Sequence, residues 1–376
     1  MLRKYQSMFE AVADFTTEYV NLHSPTSHPT LQNQWMSSVD TVTDELFEDL
    51  DTEDKMVFQK VQGVFTRGLQ IFMKEAKNVS WIRLSAAERN TRIAAIFARP
   101  QVPQRTPAWY KQGQEILTAS EFAGLYGSER AYASLVLSKA VTSELRMSNR
   151  GACPTFEMSP FSWGIRFEPV VKSVFENAWG VTITDCGRIT HGTDPNLAAS
   201  PDGIFTTARD PQMLGRLIEI KCPISRPINQ GIPFEYWCQM QIQMEVCDID
   251  ECQYLEVSIH SAQARKAVGE APANPVASGL VYLLCRAETD YIYAYTEHER
   301  DAKVEEGFVL EDTIPWSITQ FHKETVQRDR RWFAETAPMR NTFWTDVARA
   351  KRGEFPIPPP ATPRQKSCRI TDSPPS

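Results

Sequence analysis

The sequence predicts an α/β or α+β core, and three observations predict it. Apolar residues recur at helical spacing from Gly164 to Trp179 and run into Val181-Thr182-Ile183-Thr184, a short β-branched segment. A short apolar run, Leu217 to Lys221, precedes a second helical stretch from Glu235 to Val246. Further strand-like segments lie at Cys252 to Ile259 and Val281 to Tyr295, the latter rich in Tyr and Ile. Strands interleaved with helices require a layered core.

The elements are taken in chain order. Residues 1–100 read as a helical N-terminal region, because Leu46, Leu50, Val57, Val61, Phe65, Leu69 and Phe72 recur every three or four residues. Ser80 is a candidate cap for one more helix, and Arg99-Pro100 starts a break. Pro100, Pro103 and Pro107 make a linker or rigid entry segment. In the Gly164–Trp179 helix, Phe167, Val170, Val171, Val174, Phe175 and Ala178 form one apolar stripe, with Glu168 at its margin. Residues 101–350 are expected to form the functional core, ending in helices. Residues 351–376 are expected to be a disordered tail: seven Pro fall after Gly353, with no apolar periodicity.

Composition narrows the class. A chain of 376 residues can bury one large core or two modest ones, and 42% hydrophobic with 23% charged residues is ordinary for a globular protein. No run is long and apolar enough for a bilayer, and Met1-Leu2-Arg3-Lys4-Tyr5 is not the start of a secretory signal. Cys153, Cys186, Cys222, Cys238, Cys247, Cys252, Cys285 and Cys368 form no paired C-x-x-C set, so neither zinc nor a disulfide framework is expected. Several sit in apolar runs as buried thiols, which fits a reducing, intracellular location. A net charge of −7 argues against indiscriminate adhesion to nucleic acid, but a local basic track can coexist with it.

The chemistry concentrates at Ser200-Pro201-Asp202-Gly203 and Leu217-Ile218-Glu219-Ile220-Lys221. Alternation in a strand sends Glu219 and Lys221 to one face, and Ile218 and Ile220 to the other. A turn at Arg209-Asp210-Pro211 would fold Asp202 back beside Glu219 as a hairpin. Asp and Glu oxygens suit Mg²⁺ or Mn²⁺, which would neutralise a scissile phosphate and activate a water. Lys221 would orient that water or offset phosphate charge. A plain Glu219–Lys221 ion pair is the alternative. Elsewhere, Thr118 and Ser120 can cap a helix starting near Glu121, a phosphate cradle with Arg105 and Lys111 nearby, or only a cap beside a core Trp109. Tyr236, Met240 and Met244 face the core, and Gln241 can reach a site edge. His191 is more simply structural, and Lys323, Arg328, Arg330 and Arg331 read as a solvated helix face.

In order, these segments are W-x8-T-A-S (Trp109 to Ser120), W-G-x-x-x-E (Trp163 to Glu168), S-P-D-G, E-I-K-C-P, and Tyr236-x-x-Gln239-x-Gln241-x-x-Met244. Together they resemble the lambda-exonuclease (YqaJ-like) branch of the PD-(D/E)XK nucleases, which includes alkaline exonucleases of large DNA viruses. The resemblance implies a restriction-endonuclease-like core, a central mixed sheet flanked by helices. It implies Mg²⁺-dependent 5′→3′ degradation of one strand from a double-stranded DNA end. Asp202, Glu219 and the Ile220 carbonyl would hold metal, Glu168 would complete the acidic cluster and Lys221 would sit against the water. Ser120 would belong to a pocket for the DNA 5′ phosphate, and Gln239 to the DNA-binding set. A single-strand annealing or binding protein is an expected partner. One position departs: the resembled enzymes carry an Arg seven residues before that Ser, where this chain has Gly113. Lys111, Arg105 or Arg130 would supply the charge, or the preference for a phosphorylated end is weak. The competing readings are a structure-specific or restriction-type endonuclease and a catalytically dead DNA-end-binding protein.

Overall fold

The computed structural model describes residues 85–140, 159–224, 226–228, 231–261, 274–287, 290–356 and 358. The Leu46–Phe72 periodicity, the Ser80 cap and nearly all of the Pro-rich tail lie outside these residues. The chain runs through α1 (Ala86–Phe97), α2 (Pro107–Glu115), β1 (Leu117–Thr118), a 3₁₀ helix (Ala119–Tyr126), α3 (Glu129–Ala140) and α4 (Pro160–Trp179). Next come β2 (Val181–Thr184), β3 (Ile189–Thr190), β4 (Leu197–Ala199), β5 (Gly203–Ala208), β6 (Leu217–Lys221), α5 (Phe234–Cys247) and β7 (Glu251–Ser261). The last elements are β8 (Ala277–Ala287), β9 (Asp290–Ala294), α6 (Glu297–Glu305), β10 (Val309–Gln327), α7 (Arg330–Glu335) and α8 (Ala337–Lys351).

Helix starts obey local chemistry. The Ser85 hydroxyl accepts from Glu88 N–H, and the Glu88 carboxylate accepts from Ser85 N–H at 2.7 Å, a reciprocal cap on α1. Thr106 caps α2 and Ser159 caps α4, each preceding a Pro whose missing N–H costs nothing at that position. Pro107 therefore opens a helix, which corrects the linker expected there. Gly180, at φ 64°, ends α4 and turns the chain into β2.

The main sheet has the strand order β2-β5-β6-β7-β10-β8-β9. Only β6 and β7 pair in parallel; every other pair is antiparallel. The parallel pair needs a crossover, and α5 supplies it. A smaller sheet has the order β1-β4-β3. On one face of the main sheet, α4 packs Trp163, Phe167, Val171 and Phe175 onto Ile218, Ile220, Leu255 and Val257. On the other, α5 joins a helical layer built with α1, the 3₁₀ helix, α7 and α8 around Leu217, Tyr254, Met240 and Met244. The α1 residues Ile93 and Ile96 belong to this second core, so the last helix before residue 100 packs with the later elements.

Two expectations are corrected. Val281 to Tyr295 is not one strand but β8 and β9, paired antiparallel. The stretch holding Lys323 is not a helix: β10 runs 19 residues and carries it, because both neighbours, β7 and β8, offer it a hydrogen-bonding edge. Arg328 comes just after that strand and is buried, bridging Glu245 at 2.7 Å and Asp248 at 2.7 Å.

Gly203 marks the tightest crossing. A Cβ there would collide with Ile183 Cγ2 on β2 and approach the Thr184 carbonyl at 3.2 Å. Gly203→Ala should therefore destabilise the protein by about 2 kcal/mol, the usual scale of overpacking, read as a fall in Tm by thermal denaturation.

Candidate active site

The site grows from the pairing of two strands. Gly203 on β5 stands opposite Ile218 on β6, and Asp202 is the residue just before β5. That register brings Asp202 to β6, where its Oδ2 accepts a hydrogen bond from Ile220 N–H at 2.7 Å. The hairpin expected between Asp202 and Glu219 is thus present. Leu217 packs into the α5 layer, whereas Ile218 and Ile220 pack toward α4. Alternation then turns Glu219 and Lys221 toward α5, as expected.

Helix α5 runs back antiparallel to β6, as a crossover between parallel strands must. Gln243 donates to Glu219 Oε2 at 2.7 Å, and Lys221 donates to Gln239 Oε1 at 3.2 Å. The match is geometric: four helical residues advance about 6 Å and two strand residues about 6.6 Å, so two pairs meet in register. Lys221 also pairs with Glu219 and lies over the Tyr236 ring at 4.6 Å. Glu219 and Gln243 are fully buried, whereas the Lys221 side chain is 22% exposed, so the network reaches from the interior to the solvent edge.

A third carboxylate comes from α4. Glu168 pairs with Lys172, one turn along, at 2.9 Å, and with Arg105 at 3.1 Å. Lys172 also reaches Asp185 at 2.7 Å. Burial, then the Glu219 and Glu168 charges, push the Asp202 carboxyl well above the usual carboxylate range, against the pull of Lys221 and Lys172. Burial disfavours the Lys221 ammonium, but Glu219 and Asp202 outweigh it and hold its pKa above the ordinary lysine value. The cluster therefore gathers three carboxyl groups, Asp202, Glu219 and Glu168, around the Lys221 ammonium.

That chemistry fits a hard divalent cation. Asp202, Glu219 and the Ile220 carbonyl are oxygen donors, and a cation would offset the repulsion that Asp202 feels. Among the described residues, no three His, Cys, Asp or Glu side chains are grouped tightly enough to hold an ion by themselves. A seat here would draw on backbone oxygen and water as well, as Mg²⁺ sites do.

The remaining expected residues divide. Arg105 and Gln239 join the cluster. Trp109 borders it, its indole N–H donating to Ser200 Oγ at 3.1 Å, two residues before Asp202. Gln241 does not reach it: its amide donates to the Gln327 carbonyl at 2.7 Å and accepts from Asp329 N–H at 2.6 Å, tying β10 to α7. Thr118 precedes a 3₁₀ helix that starts at Ala119, earlier than the expected cap near Glu121, and its hydroxyl donates to Glu121 at 2.6 Å. Ser120 and Lys111 are exposed. His191 is structural, its Nδ1 accepting from Asp194 N–H at 3.0 Å. Sequence reasoning missed Gln243 and Lys172. The signals existed: Gln243 lies four residues after Gln239 and Lys172 four after Glu168, so each shares a helix face with a chosen residue.

Residues 108–250 match the family model of the YqaJ-like viral recombinase domain. Asp202, Glu219 and Lys221 lie inside the matched stretch. The chain is 25% identical over 309 residues to "Uncharacterized protein R354" of Acanthamoeba polyphaga mimivirus, covering 69% of this chain and 55% of that protein. The chain thus spans about half the length of that relative. Among solved structures it is similar to LHK-Exo in complex with dAMP (21% identity, TM-score 0.39, covering 66% of this chain and 95% of that one). The alkaline exonuclease LHK-Exo from Laribacter hongkongensis gives 18% identity at TM-score 0.39, with the same coverage. A phage related exonuclease from Haemophilus somnus 129PT gives 12% at 0.33, covering 63% of this chain and 92% of that one.

Asp202→Asn should stabilise the metal-free protein. A carboxyl whose folded pKa is raised costs nothing below its unfolded value of about 3.9; the cost grows as pH rises from there to the folded value and is constant above it. The amide keeps an acceptor for Ile220 N–H but no charge. In chelator at neutral pH the variant should gain on the order of 1 kcal/mol, and the gain should vanish as pH falls toward the unfolded value. A gain that persists unchanged in acid would contradict the charge-crowding account.

Proposed function

We propose that the protein is a divalent-metal-dependent deoxyribonuclease that degrades one strand of linear duplex DNA from its 5′ end. The observation that carries this reading is the meeting of Asp202, Glu219 and Lys221 on the β5–β6 pair inside the stretch that matches the YqaJ-like model. Mg²⁺, with Mn²⁺ as substitute, fits the all-oxygen donor set of Asp202, Glu219, the Ile220 carbonyl and, directly or through water, Glu168. When bound, such an ion neutralises the scissile phosphate and acidifies a water.

The chain's own groups do the positioning. Gln243 and Lys221 fix the Glu219 carboxylate, so its orientation is set before substrate arrives. Gln239 and Tyr236 aim the Lys221 ammonium, which stays protonated and stabilises charge growing on the phosphate oxygens as the water oxygen bonds to phosphorus and the ester bond breaks. Lys172 and Arg105 hold Glu168 at the edge of the cluster. Resection of one strand exposes the other, which is the substrate of a single-strand annealing or binding protein, so such a partner and a role in recombination of a DNA genome belong to the same reading. The mimivirus relative supports a viral setting.

The test is digestion of end-labelled linear duplex with Mg²⁺, beside a covalently closed circle. Loss of linear duplex with the circle intact supports the exonuclease; cutting of the circle supports an endonuclease; no Mg²⁺-dependent loss of either overturns the nuclease reading. Asp202→Ala and Glu219→Ala should each abolish digestion while duplex binding survives, because several kcal/mol of transition-state stabilisation goes with the ion. Lys221→Ala should lower kcat far more than it raises KM, since its charge matters most in the transition state. An effect confined to KM would make Lys221 only a phosphate anchor. Gln243→Leu should lower kcat by about tenfold or more through a misaligned Glu219, at unchanged duplex affinity.

A further inference from the structure

Lys172 is fixed in the acidic cluster from two sides. It lies one turn beyond Glu168 on α4, and its side chain is 15% exposed. The ammonium pairs with Glu168 Oε1 at 2.9 Å and with Asp185 at 2.7 Å. Its charge also acts on Asp202. A lysine head ordinarily ranges on a flexible four-carbon stem; here the stem is packed and two carboxylates hold the head. The other Glu168 oxygen, Oε2, accepts from Arg105 at 3.1 Å. Arg105 holds φ 63°, a left-handed backbone that a residue with a Cβ keeps only where its surroundings require it. Both oxygens of Glu168 thus face cations of the protein itself.

Phosphodiester cleavage can use one divalent ion or a pair of them. Charge decides between the two here. With Asp202 ionised, Asp202, Glu219 and Glu168 carry three negative charges, and Lys221, Lys172 and Arg105 carry three positive ones. Asp185 adds another negative charge, but it is 79% exposed and meets Lys172 where water and salt screen it. One divalent ion then leaves an excess of two positive charges, which one phosphodiester and one attacking hydroxide cancel. A second ion would leave two charges unmatched and would stand against Lys172 and Arg105. Glu168 is also not drawn in beside Asp202 and Glu219: among the described residues, no three such side chains are grouped tightly enough to hold an ion.

We propose that Lys172, clamped between Glu168 and Asp185, takes the place of a second divalent ion, so that the site loads a single ion on Asp202 and Glu219. This rests on the metal-dependent nuclease reading. The role of Lys172 is electrostatic: it supplies a fixed positive charge on the α4 side of the site, with no ligand exchanged and no proton transferred. Removing that charge would leave Glu168 and Asp202 with one cation fewer between them, and a second divalent ion could then enter.

The experiment loads the full chain with Mn²⁺ and counts bound ions by electron paramagnetic resonance. Wild type should take up about one ion per chain, without exchange coupling, and Asp202→Asn should lose it. Lys172→Gln keeps a donor for Glu168 or Asp185 but no charge. It should raise the count to about two, with the coupled signal of ions about 3.5–4 Å apart. Lys172→Arg, which keeps the charge, should stay at about one. Digestion of linear duplex should follow: its rate should rise with about the first power of Mg²⁺ concentration in wild type and about the second in Lys172→Gln. A coupled pair in wild type, or a single uncoupled ion in folded Lys172→Gln, overturns the assignment and leaves the nuclease reading standing. If thermal melts show that Lys172→Gln is unfolded, the wild-type spectrum decides by itself, one uncoupled ion supporting the assignment and a coupled pair overturning it. A wild type that binds no Mn²⁺ overturns the metal-dependent reading, and the Lys172 assignment with it.

Discussion

Gly203 pairs with Ile218, and because β5 and β6 are antiparallel, Asp202 comes to rest with its carboxylate on the Ile220 N–H. The position of every charged group in the cluster depends on that register. A shift by one residue would send Glu219 and Lys221 to the α4 face, among Phe167 and Val171, and bring Ile218 and Ile220 against α5. Two features hold the register in place. Ile218 and Ile220 find an apolar layer only on the α4 side, and Gly203 alone allows the close crossing with Ile183.

The helix above the strand is matched to this register. Because β6 and β7 are parallel, α5 has to return antiparallel to them, and its Gln239 and Gln243 then meet Lys221 and Glu219 in step. The buried amides satisfy polar groups that would otherwise be stranded in the interior, and they fix the carboxylate in one rotamer. The same parallel pair sets Glu256 beside Lys221 in register, and Arg226 compensates this second fully buried carboxylate. Polar pairing thus continues across the sheet in the layer that faces α5.

Charge crowding at Asp202, Glu219 and Glu168 opposes folding and is what makes the site receptive to a cation. Lys221, Lys172 and Arg105 offset part of it, each placed by the packing of separate segments, so the balance exists only in the folded chain. A site of this kind trades stability for function, since the groups that repel one another are the ones that bind.

The heart of the site is legible from local rules. Period-2 alternation puts Glu219 and Lys221 on one face of any strand, and the Asp-Gly pair and the Pro-containing turn make a hairpin the natural return. The α4 stripe and the α5 helix are equally readable, because burial on one side leaves a 3.6-residue period. The identity of β10 is not, because its strand character comes from the edges that β7 and β8 present, and its polar alternation resembles a charged helix face. Gln241 and Gln243 differ only in rotation about α5, and the docking of α5 on β6 decides which one meets the carboxylate. The stacking of the buried Arg188 on Trp109 gives no signal in the sequence: 79 residues separate them along the chain, and the packing of α2 against the start of β3 brings the two together. Local periodicity is fixed by the chain itself. Which buried charge meets which partner depends on contacts between distant segments, and those exist only once the layers have packed.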